Sequence, residues 1–183
     1  MSEPQISIDG KTISISGDFT KVVLNGVAIS IPDSALLLPT PANDAVALVL
    51  GQETADGIYA GHTNDGKHEI YALPQDLKMT RTFNDTVKAI HRLNANKDLN
   101  LGFNDWQIGT FPVLRVLQRN HREGALKDSF NKGPVAGWYW SSSQHKSFHF
   151  YKHALHLSTG NNCYYLTDEK QLSCRPVRLK PAR

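Results

Sequence analysis

The sequence predicts an α+β domain, two helices packed on short antiparallel strands, preceded by a β-rich segment. Three observations carry that prediction. Near the start, Ile6 and Ile8, then Ile13 and Ile15, alternate around Asp9-Gly10-Lys11, a strong hairpin signal. Two stretches beginning at Thr82 and Thr110 carry apolar residues at helical spacing. Finally, Gly137-Trp138-Tyr139-Trp140-Ser141-Ser142-Ser143 reads as a strand, with Trp138 and Trp140 on one face and Tyr139 on the other.

The elements follow in order. Val22-Val23-Leu24 and Val27 to Ile31 repeat the strand pattern about Asn25-Gly26. Pro32, Pro39 and Pro41 then interrupt regular structure, with Ala35-Leu36-Leu37-Leu38 between them. This places a boundary at residues 40–44. Residues 1–44 are a β-rich segment too short to fold alone, fitted to attachment or oligomerisation, and residues 45–183 are the main domain. Strands are expected at Val46 to Leu50, Gly57 to Gly61 and Glu69 to Leu73, with a turn at Asn64-Asp65-Gly66-Lys67. Thr82 caps the first helix with Asp85 three residues on, and Phe83, Val87 and Ile90 line one face. The second helix starts at Thr110, accepts Pro112 in its first turn and aligns Val113, Leu114 and Leu117. Beyond Gly124 the chain returns to short strands and loops, punctuated by Gly133, Gly137 and Gly160. Thr167-Asp168-Glu169 is an exposed turn. A hairpin over 161–178 turning there would set Cys163 opposite Cys174, close enough for a bridge. In a reducing cytosol the same two residues would be small buried thiols.

Composition narrows the class. The 183 residues are 40% hydrophobic and 20% charged, enough for one well-packed domain with a small appendage. A net charge of +3 gives no reason to expect nucleic acid. Arg175, Arg178, Lys180 and Arg183 gather at the end without interleaved aromatics and read as a solvated tail. No run approaches the roughly 18 apolar residues of a membrane span. Met1-Ser2-Glu3-Pro4-Gln5 is polar, so no signal peptide is expected. The expected location is cytoplasmic until the protein is assembled into a particle or exported by another route.

His145, His149, His153 and His156 would line one face of a helix, a spacing that suits zinc or copper. Phe148-His149-Phe150-Tyr151 instead favours a strand, and no carboxylate lies nearby to orient a ligating ring, so no metal is expected. Calcium is not expected either, because no set of converging oxygen ligands appears and Asp105 is better read as structural. There is no nucleophile–base arrangement, phosphate loop or carboxylate pair, and Ser141 to Ser143 have no partner; no catalytic residue and no cofactor are assigned. Of Phe148, Phe150, Tyr151, Tyr164 and Tyr165, about half are expected in the core.

The ordering of these elements resembles a bacterial and phage family with a C-type-lectin-like fold. That family includes a domain of unknown function at the end of bacterial surface proteins and the variable proteins of diversity-generating retroelements. More distantly it includes the formylglycine-generating enzymes. The matching residues are the strand Gly57-Ile58-Tyr59-Ala60-Gly61, the helix from Thr82 to Asn94, and Asp105-Trp106 at the start of the second helix. They continue with the Trp-Tyr-Trp-Ser-Ser strand at 138–142, a penultimate strand from Ala154 to Gly160, and a final strand from Cys174 to Arg178. The sequence departs from the pattern at Gln107-Ile108-Gly109 and at Pro176, which suggests an edge or bulge in the last strand. The resemblance implies a scaffold displaying a ligand-binding surface on its C-terminal strands and loops. The displayed positions would include Gln144, His145, Lys146, Phe148, His149, Tyr151, Asn161, Asn162 and Tyr164. Such residues supply amphipathic area and adaptable hydrogen bonds. The implied protein is a non-enzymatic receptor-recognition or adhesion component of a phage, prophage or bacterial surface. Its partner would be a protein or glycan, without membrane insertion or nucleic acid, and homo-oligomerisation would run through the N-terminal segment. The alternatives are a cysteine-dependent oxidoreductase related to the formylglycine-generating enzymes and a purely structural particle subunit.

Overall fold

The computed structural model describes residues 47–183 throughout and, before them, the strands β1 (Gln5–Asp9), β2 (Thr12–Ser16), β3 (Lys21–Leu24) and β4 (Val27–Ser30). The chain divides into two compact units, Met1–Val46 and Ala47–Arg183. In the first, β1 pairs antiparallel with β2, setting Ile6 opposite Ile15 and Ile8 opposite Ile13. Likewise β3 pairs with β4, with Val22 opposite Ile29. The proline-bearing boundary and the Ala35-Leu36-Leu37-Leu38 run lie outside the described residues.

The second unit is mixed α+β, with two helices and two antiparallel sheets. Its strands are β5 (Glu53–Thr54), β6 (Gly57–His62), β7 (His68–Ala72), β8 (Gln107–Ile108), β9 (Trp138–Gln144), β10 (Tyr151–His156), β11 (Asn162–Leu166) and β12 (Pro176–Pro181). The helices are α1 (Phe83–Ala95) and α2 (Phe111–Asn120). One sheet has the order β5-β6-β7-β12-β8 and the other β11-β10-β9. The final strand thus lies between the early hairpin strand β7 and the short mid-chain strand β8, so residues far apart in sequence close one sheet.

Local chemistry fixes the ends of these elements. The Thr82 hydroxyl accepts a bond from the Asp85 amide at 3.2 Å, satisfying one of the free donors at the start of α1. Pro112 occupies the first turn of α2, and the Phe111 amide donates to Ser143 Oγ on β9 at 2.9 Å. Gly57 has φ +115°, and a Cβ there would meet the Ala72 carbonyl oxygen at 2.7 Å, so no other residue fits that close approach of β6 to β7.

Strand β9 separates two cores. Tyr139 faces a cluster with Ile58, Leu114, Leu117, Leu155 and Val177 around α2. Trp140 faces another with Phe83, Ile90, Leu93, Trp106 and Leu172 around α1, and Trp138 packs on the same side. Period-two alternation therefore assigns one aromatic residue to each helix in turn.

Several expectations require correction. The strand expected at Val46 to Leu50 does not form over its described residues, 47–50: Val49 and Leu50 are exposed, Gln52 bonds back to Val49, and Gly51 turns the chain with φ +75° before β5. Asp105-Trp106 precede β8, and α2 begins only at Phe111. The penultimate strand segment ends at His156, because the chain turns back by Gly160 (φ +74°) into β11. Pro176 is the first residue of β12, a position that needs no ladder donor, so neither edge nor bulge is required. The hairpin over 161–178 does not form, since β11 pairs with β10 and β12 belongs to the other sheet.

The basic end is not a solvated tail. Arg175 and Arg178 are 1% and 6% exposed. Arg175 Nε donates to Asp76 at 2.7 Å, its other nitrogens reach the Leu73 carbonyl and Ser129, and its guanidinium lies 4.2 Å from the centre of the Phe130 ring. Arg178 pairs with Asp56 and Asp105 and stacks 3.5 Å over Phe103. The aromatics that cover these cations come from distant segments, so spacing at the chain end could not reveal them.

Candidate functional site

None of Phe148, Phe150, Tyr151, Tyr164 and Tyr165 is buried, against the expected half. Phe148 is 61% exposed, Phe150 75% and Tyr164 37%, and every largely exposed Phe, Tyr or Trp among the described residues lies in this stretch. The physical cause is the β10–β11 hairpin. Its α1-facing side is covered by Trp138, Trp140 and Phe83, whereas the other side runs out past the start of α2.

On that uncovered side His153 and Tyr164 are cross-strand partners, with rings stacked at 3.9 Å and 12°. Phe111, the first residue of α2, lies 4.0 Å from His153 on its other side. Arg115, one turn further along α2, sits 5.1 Å over Phe111 and anchors to the Gly160 carbonyl at 3.0 Å. The run continues outward: His145 meets Tyr164 at 4.8 Å and Phe148 at 5.0 Å, and Phe148 meets Tyr151 at 6.0 Å. The His145 ring nitrogen accepts bonds from the amides of Ser147 and Phe148, shaping the turn that presents Phe148. Six aromatic or imidazole rings thus form one continuous path from helix to loop.

Polar groups border it. The Gln144 side-chain amide lies 3.4 Å from the His149 ring and accepts from Lys152 at 3.0 Å. Gln144, Lys146 and His149 are exposed, and His145 and Tyr151 half-buried. Asn161 and Asn162 are exposed at the far end of the hairpin, with Asn162 opposite Leu155 and on the same strand face as Tyr164. The structure therefore brings Gln144, His145, Phe148, His149, Tyr151 and Tyr164 together. It sets the two asparagines apart, and the Lys146 side chain makes no hydrogen bond or ion pair among the described residues. Sequence reasoning left out Phe150, His153, Phe111 and Arg115. The i, i+4 spacing of Phe111 and Arg115 was a usable signal, but only the fold places them beside the hairpin.

Burial lowers the His153 pKa below its ordinary value of 6.5, and Arg115 and His145 add to the effect, so a neutral ring fills the stack. The four histidines do not converge. His145 and His149 lie in the loop, and His153 and His156 project to opposite faces of β10, where His156 packs on Trp138. Among the described residues no group of three or more metal-ligating side chains occurs.

The cysteines are both free. Cys163 lies on β11, and the segment carrying Cys174 borders β9 at Tyr139, three strand spacings away or roughly 14 Å. A bridge needs Cα atoms within about 7 Å. Cys174 is buried, which pushes its thiol well above the ordinary value, with Asp76 adding to the shift. Two serines of β9 have partners: the Ser141 hydroxyl accepts from the Ser143 amide, and the Ser143 hydroxyl from the Phe111 amide.

Two depressions, of about 530 Å³ and about 500 Å³, open elsewhere on this unit, and none of the nine predicted site residues lines either. Among the described residues no helix is long and apolar enough to cross a membrane. Compared with family models and with curated proteins, the chain finds no match in either.

Proposed function

We propose that the Ala47–Arg183 unit is a C-type-lectin-like display domain, and that this non-enzymatic protein recognises a protein or glycan receptor through residues 144–164. One observation carries the proposal. A continuous aromatic and imidazole face, half-buried at α2 and open at the loop, is rimmed by amides and a lysine on the β10–β11 hairpin, whose other side packs against Trp138 and Trp140. Exposed aromatics grouped in this way mark binding surfaces more often than they occur by chance on a monomer. Ordered rings also lose little entropy on binding.

The family reading is supported by two helices on antiparallel sheets, by the final strand closing onto an early hairpin, and by a Trp-Tyr-Trp strand whose Tyr139 and Trp140 are buried next to the displayed hairpin. The N-terminal strands would attach or oligomerise the protein within a phage, prophage or bacterial surface assembly. The buried Cys174, its thiol pushed upward and far from Cys163, gives no support to the cysteine-dependent alternative.

The test is binding of the full chain to a glycan panel and to envelopes of candidate bacterial hosts. A Tyr151→Ala/Tyr164→Ala variant should lose the interaction while keeping a cooperative melt. Equal binding by variant and wild type would overturn the proposal. So would a wild-type symmetric oligomer that buries these residues, which is the behaviour of a structural subunit.

A further inference from the structure

The larger depression lies between α1 and the segment joining it to β7, well away from the aromatic face. Its volume of about 530 Å³ falls in the range of small-molecule sites, roughly 300–1,000 Å³. Leu73, Leu77 and Leu93 contribute apolar lining. On α1 the lining residues Ala89, Arg92 and Leu93 follow i, i+3, i+4 spacing, so they share one face, and the C-cap residue Asn96 lines the depression beyond them. Ala89 is the small member and leaves the space open. The outer lip is Leu99 and Leu101, 57% and 44% exposed. That lip is preformed: Asn100 between them is 3% exposed, donates to the Asn94 carbonyl at 3.0 Å, and receives the Trp106 indole N–H at 2.8 Å. Leu101 is also held at φ +55°, an uncommon conformation for a residue with a side chain.

Charge selects the occupant. Lys78, Arg81 and Arg92 line the cavity, and none forms an ion pair among the described residues. The Arg81 guanidinium donates only to the Met79 carbonyl, at 2.9 Å. Of the two carboxylates in the lining, Asp76 is engaged by Arg175 and Tyr139, which leaves Asp98 against three cations. An apolar depression with surplus positive charge at its edge suits a ligand with an apolar body and one anionic end.

We propose that this cavity binds an amphipathic carboxylate of the medium-chain fatty-acid class, with the chain against the leucines and the carboxylate toward Arg81, Arg92 and Lys78. The test is calorimetric titration of the full chain with decanoate and with decyltrimethylammonium, both below their micellar concentrations. Decanoate should bind at least about tenfold more tightly than the cationic amphiphile, and Arg81→Gln/Arg92→Gln should remove about that factor for decanoate without shifting the melt of the free protein. Ala89→Phe, which fills the cavity, should abolish binding of both. Absence of decanoate binding, equal affinity for the two amphiphiles, or undiminished decanoate affinity in the arginine variant would overturn the proposal. The arginine variant alters only the polar rim, so it decides the matter even where Ala89→Phe does not fold.

Discussion

Residues 148–150 and 172–178 lie near each other in sequence and are opposites in burial. In the first stretch Phe148 and Phe150 stand in solvent at 61% and 75% exposure; in the second, Arg175 and Arg178 are enclosed at 1% and 6%. Hydropathy alone would place each the other way round. What decides is the supply of partners. Arg175 enters the interior because Asp76, the Leu73 carbonyl and Ser129 satisfy its donors and Phe130 covers its face. Phe148 and Phe150 stay outside because the turn that carries them runs beyond the reach of both helices. The arginines hold the scaffold together, and the aromatics are left for a partner.

The largest expected effect tests the arginine side. Asp76→Ala strands the Arg175 guanidinium in the interior and removes the acceptor of the Tyr139 hydroxyl. Equilibrium urea unfolding should show a loss of about 3–5 kcal/mol. A loss under about 1 kcal/mol would mean that water or a rearranged acceptor replaces the carboxylate, and the contrast would weaken. Tyr164→Ala comes next: it removes the stack on His153 and should lower stability by about 1 kcal/mol, since the ring is only partly buried.

Acid should separate the two regions. His153 has a depressed pKa, so the folded state prefers the neutral ring; its contribution is complete above pH 6.5 and is lost as pH falls below that value. Burial alone would raise the Asp56 pKa, but hydrogen bonds from Lys180 and Arg178 outweigh it and hold the group below its ordinary 3.8. Its stabilisation is therefore present above pH 3.8 and lost only as pH drops further. Melting temperature against pH should thus fall in two steps, with His153→Phe removing the upper one and Asp56→Asn reducing the lower, to which Asp65, Asp85 and Asp128 also contribute. A single step below pH 4 in the wild type would show that His153 is not held in the stack.

Much of the scaffold was readable in the sequence. Thr82 and Asp85, Thr110 and Pro112, and the alternation of Trp138, Tyr139 and Trp140 each encode their structure within a few residues. The misreadings differ in cause. Arg175 and Arg178 looked like a free tail because the groups that receive them are distant: Asp76 is 99 residues from Arg175 and Asp56 is 122 from Arg178. Cys163 and Cys174 looked like hairpin partners, but β11 pairs with the preceding β10, while β12 joins the early β7. The candidate face was legible as residue types, whereas its continuity depends on Phe111 and Arg115, which only the packing of α2 brings beside the hairpin.

The smallest expected effect on stability coincides with the largest on function. Phe148→Ser/Phe150→Ser removes two exposed rings, and each change should alter unfolding free energy by less than about 0.5 kcal/mol. Unfolding and retention on the receptor-bearing surface, measured side by side on this one variant, address the central claim most directly. An unchanged unfolding curve with retention lost is the result predicted. Unchanged retention, or a fold that collapses with the two rings, would contradict it.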